Sequence, residues 1–152
     1  MEYIHYGNTR FDPDLFRPIR NEFVKPLGGM WASPVDAGYG WKDWNESSNF
    51  RECNEENSFR FTLKEGANVV HIYSVDDLKK LPQRKKQMMW SSYMLDFEKM
   101  LEQGVDAIEL HLSEEKEHGP TDGLYFALYG WDCDSILIMN KDIIQMIESE
   151  VA

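Results

Sequence analysis

The stretch Lys25-Pro26-Leu27-Gly28-Gly29-Met30-Trp31-Ala32-Ser33-Pro34 contains the features that decide how this chain folds and what it binds. Two adjacent glycines lose much backbone entropy on folding, so the pair indicates a tight turn or the close approach of a ligand to the main chain. A short strand is predicted over 30–33, and Trp41 and Trp44 share one face of a predicted helix over 36–45. The segment is therefore a candidate binding surface.

The composition is that of an acidic globular chain. Its 152 residues, 42% hydrophobic and 13% aromatic, fit a single domain over residues 1–152 with a sizeable core. The net charge of −11 argues against a nucleic-acid partner, because phosphate contacts need clustered lysines and arginines. Cys53 and Cys133 form neither a disulfide framework nor a metal-ligand motif, and no apolar run reaches membrane-spanning length. We therefore expect a cytoplasmic protein with no membrane partner.

Hydrophobic patterning predicts an α+β fold in which strands outnumber helices. The segments with alternating or continuous apolar residues, predicted as strands, are 3–6, 30–33, 58–63, 69–73, 105–112, 124–129 and 135–140. The segments predicted as helices are 36–45, 76–81, 91–103 and 142–147. Because the strands cluster and do not alternate with helices, we expect six or seven strands in a mainly antiparallel arrangement.

Two further motifs contain side chains that carry chemistry. His5 lies near the end of the first predicted strand, where a lone histidine is commonly structural but can also contact a ligand. Asp132 and Asp134 lie two residues apart, so on an extended segment they project to the same side and repel each other. Solvent, a cation or a cationic ligand centre must relieve this repulsion. A solvent-facing turn and the acidic pair of metal-dependent sugar transferases remain alternative interpretations.

The remaining histidines give no sign of a metal site in the sequence. They are His71, His111 and His118, and their spacing along the chain matches no ligand motif. We therefore predict no metal.

Together these motifs resemble the ADP-ribosyltransferase superfamily, and also small phage and bacterial proteins that share a Lys-Pro-x-Gly-Gly-aromatic stretch. The residues that carry the resemblance are Tyr3 to Gly7, Gly28 to Pro34, Gly104 to Ile108, and Asp132 to Asp134 before the strand over 135–140. The resemblance implies split antiparallel β-sheets with few flanking helices. It also implies an enzyme that uses NAD as a substrate and transfers ADP-ribose to a macromolecular acceptor, with a host or bacterial protein as the expected acceptor.

The resemblance assigns roles to individual residues. In the superfamily a first-strand histidine holds the adenosine ribose of NAD, a second-strand aromatic or hydroxyl residue frames the nicotinamide, and a late acidic residue binds the nicotinamide ribose. The expected catalytic residues are therefore His5, Trp31 and Asp134, although the late acid is usually Glu. The residues expected to bind NAD around them are Tyr6, Gly28, Gly29, Ser33 and Asp132.

A function of another class is also open. The negative charge and an acidic loop over 113–123 would suit a non-catalytic interaction protein, for instance a phage-encoded one, that binds and modulates a host protein. The two hypotheses differ in a structural consequence. If the chain is a transferase, the side chains of His5, Trp31 and Asp134 should converge on one cleft.

Overall fold

The computed structural model describes residues 1–22, 25–37, 40–42, 55–84, 94–112, 131 and 133–147. Over these residues the chain is α+β, as predicted, with a seven-stranded mixed sheet and few helices. The strands are β1 (Tyr3–Tyr6), β2 (Met30–Pro34), β3 (Ser58–Leu63), β4 (Val69–Ile72), β5 (Ala107–Leu110), β6 (Ser135–Ile138) and β7 (Ile144–Met146). The helices are α1 (Val75–Lys79) and α2 (Phe97–Glu102), with 3-10 turns at Pro13–Leu15, Glu55–Asn57 and Lys141–Ile143.

The strands lie in the order β4-β5-β6-β2-β1-β3-β7, which makes β4 and β7 the outer strands among the described residues. Every neighbouring pair is antiparallel except β4 and β5, which are parallel, with His71 opposite Glu109. The expected antiparallel arrangement is therefore wrong for this one pair. A parallel pair needs a long crossover, and both helices belong to the connection between β4 and β5.

Backbone pairing between β1 and β2 is short. The two strands share the pairs Tyr3–Pro34 and Ile4–Ser33. Beyond Ile4, β1 continues along β3 as far as Tyr6, whereas β2 is paired with β6 from Met30 onward. His5 and Tyr6 lie beside residues 30–32 of β2 but are not paired with them through the backbone. We call this place the β1–β2 break.

Side chains alternate between the two faces of the sheet and form two apolar clusters. The helix-side cluster joins α1 and α2 to one face, and its members are Ile19, Ile72, Leu78, Leu95, Phe97, Met100, Ile108, Leu110, Trp131, Leu137 and Met139. The cluster on the opposite face contains Tyr3, Met30, Ala32, Phe59, Phe61, Ala107, Ile136, Ile138, Ile143 and Ile144. The strand β3 shows the alternation clearly, because Phe59 and Phe61 are buried while Arg60 between them is exposed.

The helix α2 begins later than the sequence predicts. Asp96 is its N-cap, where Oδ1 accepts a hydrogen bond from the Lys99 amide at 3.0 Å, and residues 94–96 are not helical. Its C-terminal end agrees with the prediction, since Gly104 follows with a φ of 92° that suits glycine. The buried stripe of Phe97 and Met100 is confirmed.

Two other predicted helices are corrected. The segment over 142–147 contains a 3-10 turn and then β7, because Ile144 to Met146 pairs with β3 instead of continuing a helix. Of the segment over 36–45, residues 36 and 37 form a turn and loop, and only Trp41 and Lys42 are helical among its described residues. The predicted strand over 124–129 lies outside the described residues. No helix in the described ranges has both the length and the apolar character needed to span a bilayer.

Candidate functional site

His5 lies at the β1–β2 break. Its Nδ1 atom is 2.6 Å from the main-chain oxygen of Trp31. Because a carbonyl oxygen can only accept, Nδ1 carries the proton and donates it. Burial lowers the pKa of His5, against a smaller opposing effect of this hydrogen bond, so the ring is neutral at pH 7. The other ring nitrogen, Nε2, then presents a lone pair that can accept a hydrogen bond.

The Trp31 indole packs away from the His5 ring. It contacts the helix-side cluster and meets Trp131 edge-on, with ring centroids 4.7 Å apart and an interplanar angle of 78°. The His5 ring instead packs against Phe59, which belongs to the opposite cluster. The Lys25 ammonium lies 5.3 Å from the centroid of Trp31 and also 5.3 Å from that of Trp41. These rings therefore already hold a cation by cation–π contacts.

Ser33 and Asp134 are joined directly. The Ser33 hydroxyl donates to the main-chain oxygen of Asp134 at 2.8 Å and accepts from the Trp41 amide at 3.0 Å. Asp134 is only 5% exposed, just before β6. A solvent-facing turn is therefore the wrong interpretation for Asp134. The Ser33 hydroxyl connects β2, the start of β6 and the segment at Trp41.

The glycine pair is explained by contacts within the chain. Gly28 has a φ of 81°, and a Cβ placed on it would lie 2.1 Å from the main-chain oxygen of Pro18. Gly29 has a φ of 71°, and its Cβ would lie 2.8 Å from the main-chain oxygen of Ile138. The sequence indicated a tight turn or a ligand close to the main chain at these two glycines. In the structure, the protein's own backbone occupies these positions.

The structure brings together only part of the expected site. It joins His5 to the backbone of Trp31, and Ser33 to that of Asp134, so all four residues are linked through β2. The side chains of His5 and Trp31 pack with different clusters, so the expected convergence of His5, Trp31 and Asp134 on one cleft is wrong for the Trp31 side chain. Tyr6 is half-buried and pairs with Ser58. Asp132 lies outside the described residues.

A second group of side chains, which could hold a metal ion, was not predicted from the sequence. His71, Glu109 and His111 each offer one ligand atom, and these atoms lie within 4.8 Å of one another. The parallel pairing of β4 and β5 places His71 opposite Glu109, and the His111 amide donates to the main-chain oxygen of Ile72 at 2.9 Å. The available signal was Glu109-x-His111, since residues two apart at the end of a strand share a face.

The carboxylate of Glu109 is fully buried and has a polar neighbour close to each oxygen. The Tyr3 hydroxyl donates to Oε1, while Oε2 lies 2.9 Å from Nε2 of His111 and 3.6 Å from Nδ1 of His71. The contact with His111 is close, yet Oε2 lacks a hydrogen bond of good direction. Burial opposes ionisation of Glu109, but its contacts with His111 and Tyr3 outweigh this effect and its pKa lies below the ordinary value. Glu109 is therefore a buried carboxylate anion.

Comparison of the chain with protein-family models, with curated proteins and with solved structures finds no match.

Proposed function

We propose that the chain binds NAD at the β1–β2 break and transfers the ADP-ribose group to a macromolecular acceptor. The observation that carries the proposal is the contact of His5 Nδ1 with the Trp31 carbonyl oxygen. It fixes a neutral imidazole between the first two strands and leaves Nε2 as an acceptor for a ribose hydroxyl. His5 is thus suited to the role that a first-strand histidine has in the ADP-ribosyltransferase superfamily.

The contacts that position His5 and Asp134 lie apart on the sheet. Residues 31 and 33 are two positions apart on β2, so these contacts to the main chain are separated by about 7 Å along the strand. The strands β1 and β6 lie on opposite sides of β2, so their backbones are on the order of 10 Å apart. A ligand that contacts both residues would therefore have to be longer than one sugar, as a dinucleotide is.

Asp134 would act on the reacting ribose. When the bond between ribose C1′ and the nicotinamide nitrogen breaks, the electron pair leaves with neutral nicotinamide and positive charge develops on the ribose. A carboxylate fixed in a buried position stabilises that charge without the cost of reorganising solvent. An acceptor nucleophile then forms the new bond to C1′ and loses its proton.

The roles of the other expected residues change. The Trp31 carbonyl orients His5, whereas its indole, beside Lys25, is not placed to frame a nicotinamide next to the His5 ring. The Ser33 hydroxyl positions Asp134 through the main chain. We therefore assign direct contacts with NAD to His5 and Asp134, and positioning roles to Trp31 and Ser33.

The test measures transfer from NAD labelled in the adenylate group, using the full chain and a bacterial lysate, together with release of nicotinamide. Asp134→Asn should lose activity by a factor of about 10² to 10³, the usual effect of removing one preorganised electrostatic contact. His5→Asn and His5→Gln form a matched pair. The Asn amide can still donate to the Trp31 carbonyl from the Nδ1 position, while the Gln amide reaches the Nε2 position.

We expect His5→Asn to retain the fold and lose NAD affinity. Gln145→Ala, at an exposed position on β7, is the control that should behave as wild type. Nicotinamide release without transfer of label would identify an NAD hydrolase and contradict the transfer step. If wild type neither transfers label nor releases nicotinamide, the enzyme proposal fails, and binding of a host protein without NAD would then favour the interaction protein.

A further inference from the structure

The cluster of His71, Glu109 and His111 has the dimensions of a metal site. The separations are 2.9 Å from His71 Nδ1 to His111 Nε2, 2.9 Å from His111 Nε2 to Glu109 Oε2, and 3.6 Å from His71 Nδ1 to Glu109 Oε2. These three atoms are close enough together for a single ion to lie about 2.0–2.2 Å from each of them, which is the range of zinc bonds to imidazole and carboxylate.

We propose that His71, Glu109 and His111 bind one divalent transition-metal ion, with Zn²⁺ as the representative of the class. Two imidazole nitrogens and one carboxylate oxygen form a known ligand set for zinc, and also for other first-row ions such as Fe²⁺. The proposal concerns a site on the opposite face from the helices and does not depend on the NAD proposal.

The surroundings of Glu109 favour coordination through a single oxygen. Tyr3 donates to Oε1, so Oε2 is the oxygen directed to the two histidines. An outer hydrogen bond of this kind fixes the orientation of a metal ligand. Oε2 is buried and lacks a well-directed hydrogen bond, which is costly for a carboxylate and would be relieved by a cation.

The site is rigid on one side and open on the other. Glu109 lies in a fully buried strand, and the His111 ring stacks on Tyr73 with centroids 4.1 Å apart and an interplanar angle of 9°. His71 lies on β4, the outer strand of the sheet in the described part of the chain, and its side chain is 44% exposed. An ion can therefore enter from the solvent beside His71. Three protein ligands leave at least one coordination position for water or an exchangeable oxygen donor.

The competing explanation is that the three groups only hydrogen-bond to one another. The 2.9 Å contact between the two histidine nitrogens fits a hydrogen bond in which one ring donates and the other accepts. The two explanations differ in metal affinity, so direct binding measurements separate them.

The experiment titrates the full chain, stripped of metal with a chelator, with Zn²⁺ in competition with a chromophoric chelator. We expect wild type to bind one Zn²⁺ that His71→Ala does not. Loss of an outer-shell partner already weakens metal binding by about 10–100-fold, so loss of a direct ligand should weaken it by at least about 100-fold. Tyr3→Phe, which keeps the aromatic ring, should show the smaller effect of about 10–100-fold.

Two further measurements keep the result interpretable. Co²⁺ should give the visible absorption of a low-coordinate site in wild type, and His111→Ala should abolish it. His5→Asn is the matched histidine control and should bind Zn²⁺ as wild type does, while His71→Ala should keep any NAD activity. Because His71 is exposed, His71→Ala should fold, which circular dichroism would verify. Equal Zn²⁺ affinities of wild type and folded His71→Ala would overturn the proposal.

Discussion

Gly28→Ala tests whether the glycine pair serves the fold or a ligand. The new methyl group would lie 2.1 Å from the Pro18 oxygen, where apolar contacts normally begin at about 3.5 Å. The Pro18 segment has little freedom to withdraw. Arg20 and Leu27 exchange two backbone hydrogen bonds of 3.0 and 2.8 Å, and the Gly29 amide donates to the Arg17 oxygen at 2.9 Å.

The expected cost has two parts. An alanine at a φ of 81° costs about 1–2 kcal/mol, because its Cβ is strained in the left-handed region. Relieving the clash adds strain or the loss of backbone hydrogen bonds, about 1–3 kcal/mol more. Gly66 provides a matched control, since its φ is 85° but no atom of the described residues lies within 4 Å of the added Cβ. Gly66→Ala should therefore show the first part alone.

The assay is equilibrium unfolding in urea, monitored by tryptophan fluorescence, with the slope m checked for constancy. Gly28→Ala should lower the free energy of unfolding by roughly 2–5 kcal/mol, a large fraction of the 5–15 kcal/mol typical of a domain. If Gly28→Ala costs no more than Gly66→Ala, the close packing on Pro18 is refuted as the reason for glycine. Loss of NAD binding with unchanged stability would instead support a ligand at this position.

Three other predictions concern a cap, a titrating group and the core. Replacing Asp96 with Ala should destabilise the protein by about 0.5–2 kcal/mol at pH 7, measured by urea unfolding. Burial raises the pKa of Asp96, but hydrogen bonds from Asn21 and Lys99 outweigh burial and lower the pKa overall. The destabilisation by Asp96→Ala should therefore become smaller below about pH 4, and an undiminished effect at pH 3 would contradict the cap. The pKa of His5 is lowered, so the unfolded chain binds a proton at this residue first as the pH falls. The stability of wild type relative to His5→Asn should therefore decrease below pH 6.5, and a flat difference would contradict a half-buried neutral ring. Phe97→Ala should cost about 3–5 kcal/mol in calorimetry, whereas Leu15→Ala, at a position 58% exposed, should cost much less.

The positions of most strands follow from local pattern. The alternation over Ser58–Leu63 predicts β3, because a strand buried on one face alternates apolar and polar residues. The continuous apolar run at the start of 135–140 predicts β6, because a strand buried on both faces is apolar throughout. The segment over 142–147 was misassigned because Ile143, Ile144 and Ile147 also fit a helical face. Pairing with β3 decided its conformation, and a periodicity cannot reveal such a distant partner.

The candidate site was less accessible to sequence reasoning. The resemblance led to His5 and Asp134 as site residues. It could not predict the direction of the Trp31 indole, because this depends on which cluster packs against that face of β2. The spacing of His71 and His111 concealed their proximity, since 40 residues separate them in the chain while one pair of parallel strands brings them together. Contacts between residues so far apart in the sequence depend on the topology of the sheet, which composition and periodicity do not specify.

The crossover between β4 and β5 also determines from which side a metal could approach. Both helices of this connection pack on the face that carries Ile72, Ile108 and Leu110, so β4 and β5 are apolar on that face at these positions. Because side chains alternate along a strand, His71 and Glu109 emerge on the other face, and His111 follows Glu109 at the same two-residue interval. A shift of one residue in the register of β4 would move His71 beneath the helices and disassemble the cluster. The parallel register therefore brings three polar side chains together in an apolar region of the sheet, where a single ion could bind all three.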